Sequence, residues 1–338
     1  MTFKNYAEAL EHLRSHQYTW LITGVGGFIG SNLLLTLLNL NQKVVGLDNL
    51  STGYKKNIEN VLSEAKDLYQ KNFTFVEGDI RSEEICEKAT QNIDFALHQA
   101  ALGSVPRSIL TPLETNSVNV TGFINILHHC VQAGVKKFVY ASSSSVYGDS
   151  PDLPKKEEKI GKPLSPYAVS KHTNELYATA FSKCYGTPTI GLRYFNVFGP
   201  RQDPKSLYAA VIPLWIESIL SGKEVYINGD GETTRDFCFI ENVVQANILA
   251  ALSQNPESHN RVYNIAYGDQ TSLNALFSII ANSLEVKNAQ PIYRDFRAGD
   301  IRHSLANIQD AKVLLHYEPH FSVKEGFKKY IDWLKINN

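Results

Sequence analysis

The apolar stretch Tyr18 to Thr23 runs directly into Gly24-Val25-Gly26-Gly27-Phe28-Ile29-Gly30, and then into an apolar run from Ser31 to Leu40. This junction restricts the fold more tightly than any other part of the chain. Glycines at 24, 27 and 30 allow a tight turn, close backbone approach to a pyrophosphate, and close packing of a helix on a strand. A helix starting there presents free N–H groups and a positive dipole end to phosphates. A second strand, Lys43 to Leu47, closes the unit on Asp48. A glycine pattern alone is weak; strand, turn, helix and strand in register predict a βαβ nucleotide unit.

Asp48 stands where the acid of such a unit belongs. A carboxylate there accepts hydrogen bonds from ribose hydroxyls and repels a 2′-phosphate, which selects NAD over NADP. The alternative is a solvated loop aspartate. Asp79 and Ile80 follow the expected strand Phe73 to Glu77 and are candidates to meet the adenine, although a turn explains Asp79 as well. Phe28 and Ile29 in the turn, and Asn49, Ser51, Thr52 and Gly53 after the second strand, complete this end of the expected cofactor site.

Further strands are expected at Ile93 to Leu97, Lys137 to Ala141 and Pro188 to Tyr194. Helices are expected at Asn116 to Ala133, Pro166 to Cys184 and Ala209 to Ser221. This alternation predicts an α/β fold, a Rossmann-like doubly wound parallel sheet covered on both faces. Past Phe195 the rhythm weakens and loops punctuate the chain, which predicts a smaller α/β C-terminal substrate lobe. With 338 residues the chain suffices for such a two-lobed unit. A net charge of −1 gives no electrostatic case for nucleic acid or an acidic membrane surface. No apolar run is long enough to span a bilayer, and the start, Met1 to Gln17, is polar and helix-like rather than a secretory signal. Cys86, Cys130, Cys184 and Cys238 lack metal or disulfide spacing, so no metal is expected and a reducing cytoplasm is the simplest location.

Ligands of an open parallel sheet bind past the carboxyl ends of its strands. After Leu97 come Gln99, Ala100, Ala101, Gly103 and Ser104. Their small side chains let a cofactor approach, and packing explains the alanines equally well. After Ala141 comes the run Ser142 to Ser145, which in isolation means only a turn. It precedes Tyr167 and Lys171, which lie four apart and so share one face of a helix. A lysine ammonium beside a phenol favours the phenolate, making Tyr167 a candidate base. Ser143 is the candidate to bond the reacting hydroxyl and relay its proton, with Ser144 and Ser145 beside it.

Five stretches narrow the reading: Ala101 to Arg107, Leu164 to Lys171, Gly191 to Pro204, Tyr226 to Phe239 and Tyr293 to Leu305. On these the chain resembles, over essentially its full length, the extended short-chain dehydrogenase/reductases of the nucleotide-sugar epimerase group. Within that group it most resembles the bacterial UDP-N-acetylglucosamine/UDP-N-acetylgalactosamine 4-epimerases of surface-polysaccharide pathways such as O-antigen and capsule. The resemblance implies an N-terminal helical extension at 1–18. It implies an NAD-binding Rossmann domain at 19–196 with a returning segment at about 236–266, and a UDP-sugar-binding lobe from 197–235 and 267–338.

The same resemblance implies a triad of Ser143, Tyr167 and Lys171, with Tyr167, Lys171 and Tyr194 also at the cofactor. It implies UDP-sugar contacts from Asn196, Arg235, Arg297 and Asp300, for which surface ion pairs are the alternative. Gln202, Val211, Tyr226 and Asn228 join the expected substrate site. Gly103, Ser104, Ala210 and Ser304 are small where the N-acetyl-type enzymes line their pocket, or are merely common surface residues. The implied reaction is reversible oxidation at C4, turning of the 4-keto sugar, and return of hydride to its other face. A 4,6-dehydratase would carry an Asp-Glu pair where this chain has Ser144 and Ser145, so elimination lacks its acid. UDP-glucose/UDP-galactose epimerisation, an ordinary NAD-dependent dehydrogenase that releases NADH, and a non-catalytic NAD-binding protein are the remaining alternatives. A homodimer is expected, with Phe123, Ile124, Ile126 and Leu127 either on its pairing face or in the core.

Overall fold

In the computed structural model the described residues are 3–65, 70–203, 211–286, 288–296 and 302–337. Helix α1 (Tyr6–Ser15) starts at Asn5, whose side chain accepts the Glu8 N–H at 2.9 Å. It is fixed by Gln42, whose amide donates to Leu13 O at 2.7 Å while its oxygen accepts from Tyr18 N and Trp20 Nε1. Then follow β1 (Thr19–Thr23), α2 (Phe28–Asn39), β2 (Lys43–Asp48), α3 (Lys55–Glu64), β3 (Phe73–Glu77), α4 (Glu83–Thr90) and β4 (Phe95–His98). Two short helices, α5 (Val105–Leu110) and α6 (Pro112–Asn116), lead through a π-helical segment, Ser117–Gly122, into α7 (Phe123–Gln132).

After α7 come β5 (Lys137–Ser143), α8 (Pro166–Tyr185) and β6 (Thr189–Tyr194). With β7 (Arg261–Ile265, the last to join in sequence) they complete a seven-stranded sheet. Its order is β7-β6-β5-β4-β1-β2-β3, and every pairing is parallel. Burial on both faces explains the continuous apolar strands. Trp20 and Ile22 enter one core cluster and Leu21 the other; Val139 and Phe138 divide in the same way. The long helix Ile240–Leu252, which precedes β7, is buried at every residue but Glu241.

The expected helix Asn116 to Ala133 is divided in the structure. The chain widens at Ser117–Gly122, where Gly122 lies so close to Ile80 that a Cβ would stand 2.5 Å from its Cγ1. Phe123, Ile126 and Leu127 are fully buried core residues and Ile124 packs beside them, so this face is not open for pairing. The smaller sheets after Phe195 are two-stranded, with strands of two to four residues, such as Val225–Asn228 paired in parallel with Pro291–Arg294, and they are backed by helices Val211–Leu220, Leu273–Ser283 and Val323–Asn337. No helix among the described residues is long and apolar enough to cross a membrane.

Candidate active site

The sheet order reverses between β1 and β4, and a cleft opens past their carboxyl ends. Gly24, Gly27, Asp48, Asn49, Ser51, Thr52, Gly53, Asp79, Ile80, Gln99, Ala100 and Ala101 all line it. Leu47, Gly78, Leu102 and Val118 line it too. Gly78 directly follows β3, so the rule of strand carboxyl ends was the available signal for it. Gly24 has φ +72°, and a Cβ there would stand 2.8 Å from Ala100 N. The cradle therefore exists only because this position carries no side chain. A Cβ on Gly30 would lie 2.1 Å from Gly24 O, so that glycine serves helix-on-strand packing. Gly27 begins α2 without a side-chain cap, leaving the first turn's N–H groups for a phosphate. Phe28 and Ile29 form that first turn. Bare N–H groups, a side-chain-free floor and a carboxylate at the far end fit a dinucleotide.

That carboxylate, Asp48, is 8 % exposed. It accepts Gly26 N and Leu50 N, each at 2.8 Å, so it organises the turn as well as facing the cleft. Burial raises its pKa, opposed by those backbone bonds. Asp79 is held ionised, at about 2, chiefly by Arg81, whose guanidinium reaches it at 2.6 Å; Asn49 donates to it at 2.9 Å. Behind the cleft, the Tyr194 hydroxyl sits 3.2 Å from Gln99 Oε1 and within hydrogen-bond reach of Asn247. Thr23 and His98 are a further buried pair at 2.9 Å.

The proton-handling groups sit on β5 and α8. Ser165 caps α8 by accepting Ala168 N, and Pro166 occupies the first turn, so the helix begins just before Tyr167. Tyr167 and Lys171 share its inner face. The Tyr167 and Ser143 side chains hydrogen-bond, and Ser143 Oγ also accepts Ser145 N at 3.1 Å. Lys171 Nζ lies 6.0 Å from the Tyr167 ring centre and donates to Ala141 O at 2.9 Å. Burial pushes the Tyr167 phenol up, with the Ser143 bond pulling it down. Burial lowers Lys171 to about 8. The protein by itself thus does not make this phenol acidic, contrary to the expectation from the Tyr–Lys spacing alone. Ser144 follows in a 3₁₀ turn, and Ser145 Oγ is buried without a hydrogen-bond partner among the described residues.

The expected substrate residues are less gathered. Asn196, at φ +30°, donates to Asp236 O at 3.0 Å. Arg235 is half-buried and donates to Thr234 O at 2.9 Å. Ser304 N–H is held by Thr234 O at 3.1 Å, and buried Asp236 holds Ala306 N at 3.1 Å. Among the described residues, nothing beyond its chain neighbours lies within 4 Å of where a Cβ on Gly103 would be. Ser104 is at φ +89° and its side chain caps α5 by accepting Arg107 N. Gln202 donates to Val197 O, while its own oxygen is buried without a partner among the described residues. Tyr226 lies under the Arg294 guanidinium at 3.2 Å, Asn228 is exposed, and Val211 opens the helix Val211–Leu220. Ala210, Arg297 and Asp300 lie outside the described residues.

The model of the NAD dependent epimerase/dehydratase family matches residues 20–266. A UDP-N-acetylglucosamine 4-epimerase from Methanobrevibacter ruminantium M1, solved with UDP-N-acetylmuramic acid, is 38 % identical. It superposes with a TM-score of 0.87, covering 95 % of this chain and 99 % of that one. The UDP-glucose 4-epimerase of Thermotoga maritima, solved with UDP-glucose, is 34 % identical with a TM-score of 0.85, covering 94 % and 99 %. A UDP-glucuronate 4-epimerase of Thermodesulfobacterium geofontis is 34 % identical over 94 % of this chain and 96 % of its own length.

Proposed function

The chain belongs to the NAD dependent epimerase/dehydratase family, and we propose that within it the protein is a UDP-N-acetylhexosamine 4-epimerase, interconverting UDP-GlcNAc and UDP-GalNAc for surface-polysaccharide precursors. The observation that carries the epimerase reading is the hydrogen-bonded Ser143–Tyr167 pair with Lys171 beside it, at the carboxyl end of β5. NAD, when bound, supplies a reversible hydride acceptor at the sugar's C4. The residues do the rest. Ser143 orients the 4-hydroxyl, and Tyr167 takes its proton and later returns it. Lys171 brings positive charge to the same corner, which favours the phenolate. Asn196 and Arg235, with Arg297 and Asp300, grip the nucleotide while the sugar turns. Arginine suits the diphosphate because its planar fork makes paired, charge-assisted bonds. In this reading the cofactor site and nucleotide grip lie in the two lobes expected from the sequence.

The N-acetyl specificity rests on Ser304 and on the open space beside Gly103, together with the 38 % identity to the Methanobrevibacter enzyme. An acetamido group needs room and a polar partner for its amide. The 34 % identity to the Thermotoga enzyme favours a second reading, UDP-glucose/UDP-galactose epimerisation. One experiment separates them. The purified protein is incubated with each UDP-sugar without added NAD, and the products are analysed for C4 inversion. Conversion of UDP-GlcNAc and UDP-GalNAc in preference to the plain hexoses is expected. Preference for UDP-galactose overturns the acetamido assignment; steady release of NADH without inversion overturns the epimerase reading. The working form in this proposal is a cytoplasmic homodimer.

A further inference from the structure

Helix α8 continues its inner face one turn beyond Lys171, to Glu175. This carboxylate is buried and lies where two strands meet the helix. Ser142 on β5 donates its hydroxyl to Glu175 Oε1 at 2.5 Å. Arg193 on β6 grips the same carboxylate with both arms, Nε to Oε1 at 2.9 Å and Nη2 to Oε2 at 2.8 Å. The guanidinium is completed by Glu157 O at 2.9 Å and the Tyr147 hydroxyl at 3.1 Å. A buried bidentate pair in which every guanidinium nitrogen is hydrogen-bonded is geometrically demanding. Here it sits directly behind the reacting groups, because Ser142 is the neighbour of Ser143, and Tyr167 and Lys171 lie two turns and one turn up the helix.

We propose that Glu175 is a positioning residue of the site: by receiving Ser142 and Arg193 together, it fixes the end of β5, which carries Ser143, against the helix that carries Tyr167 and Lys171. The inference rests on the epimerase reading for its kinetic consequence, though not for its geometry. A second effect follows from charge. Lys171 is pushed down to about 8 by burial, and Glu175 opposes that fall. The groups facing Glu175 are Ser142 and Tyr140 on β5, Arg193 on β6 and Lys171 on its own helix. Lys171 in turn faces Tyr167 and His98 on β4, and burial with the Lys171 charge holds that histidine neutral, near 3.

Ser142→Ala removes one arm of the arrangement and leaves the ion pair intact. It should lower kcat roughly ten- to a hundredfold, the scale of a small misplacement of reacting groups, with KM for the UDP-sugar and Tm nearly unchanged. Ser142→Thr should restore most of the rate. Glu175→Gln should also lower kcat and move the Lys171-dependent alkaline limb of its pH profile to lower pH, a limb that Ser142→Ala leaves in place. Should Glu175→Gln fail to fold, Ser142→Ala still decides. Hydrogen exchange at the Ser143–Ser145 amides needs no turnover: it should quicken in Ser142→Ala and return in Ser142→Thr. Wild-type kcat and wild-type exchange in Ser142→Ala, or a Glu175→Gln variant that loses Tm but keeps kcat and its pH limb, overturns the positioning role. A wild-type chain that inverts no UDP-sugar fails the functional reading instead, and the exchange measurement then decides on Glu175.

Discussion

Tyr167 needs help to be a base. Burial raises its phenol, Ser143 alone opposes the rise, and Lys171 spends one proton on Ala141 O. Tyr167→Phe keeps the ring and removes the titrating oxygen. Turnover should fall by roughly a hundredfold or more while UDP-sugar affinity, measured by calorimetry, stays the same. Lys171 carries a stability consequence of definite sign. Its folded pKa, about 8, lies below the usual lysine value of 10.5. Between those values the unfolded chain binds more protons, so this residue's contribution to stability rises with pH across that window. Denaturant unfolding of wild type and Lys171→Met should therefore show a difference that shifts in favour of wild type from pH 8 to pH 10, and none of this trend at pH 6 to 7. Ser304→Tyr should abolish turnover of the N-acetyl sugars by exclusion and leave some activity on plain hexoses; equal loss on both would remove the acetamido assignment. Tyr167 and Lys171 were legible because four-residue spacing on a helix is local information. Glu175 repeats that spacing, yet a helical glutamate reads by default as a solvated charge. Only the folded sheet reveals Arg193 and Ser142 beneath it.

Among elements, the unit from β1 to β2 was readable because one contiguous stretch supplies its strand, turn and packing contacts. The helix begins earlier than its apolar run suggests, at Phe28, since Gly30 is a helical residue pressed against Gly24 O. Gly30→Ala should cost about 1–3 kcal/mol as an overpacking change and release nucleotide during purification. Nucleotide recovered from denatured wild type should be predominantly NAD, and a predominance of NADP would remove the role given to Asp48. The π-helical segment was not readable from periodicity. Its cause is tertiary: Asn119 turns inward to bond Leu102 N at 2.7 Å, Leu102 O at 3.1 Å and Ser170 Oγ at 3.1 Å. The short strands after Phe195 were equally hidden, because each is two to four residues long and exists through its partner.

For the whole molecule, one surface feature bears on assembly. Helices α5 and α6 pack on α8 and leave Leu113 86 % and Leu110 71 % exposed, with Leu176 of α8 at 60 %. Large exposed apolar side chains carried on helices packed together are candidates for an association surface. If the proposed homodimer forms here, Leu113→Glu combined with Leu176→Glu should convert it to monomer in sedimentation, whereas substitution of buried Leu127 should destabilise the fold instead. The frame around Ser304 has a different consequence. Its backbone is anchored on one side by Thr234 O and, two residues on, by the carboxylate of Asp236, which also holds Tyr267 N and Gly268 N. None of these anchors uses the Ser304 side chain. A change of side chain there leaves the scaffold untouched, so under the proposed reading a single codon is enough to move a descendant of this chain from one sugar diet to another.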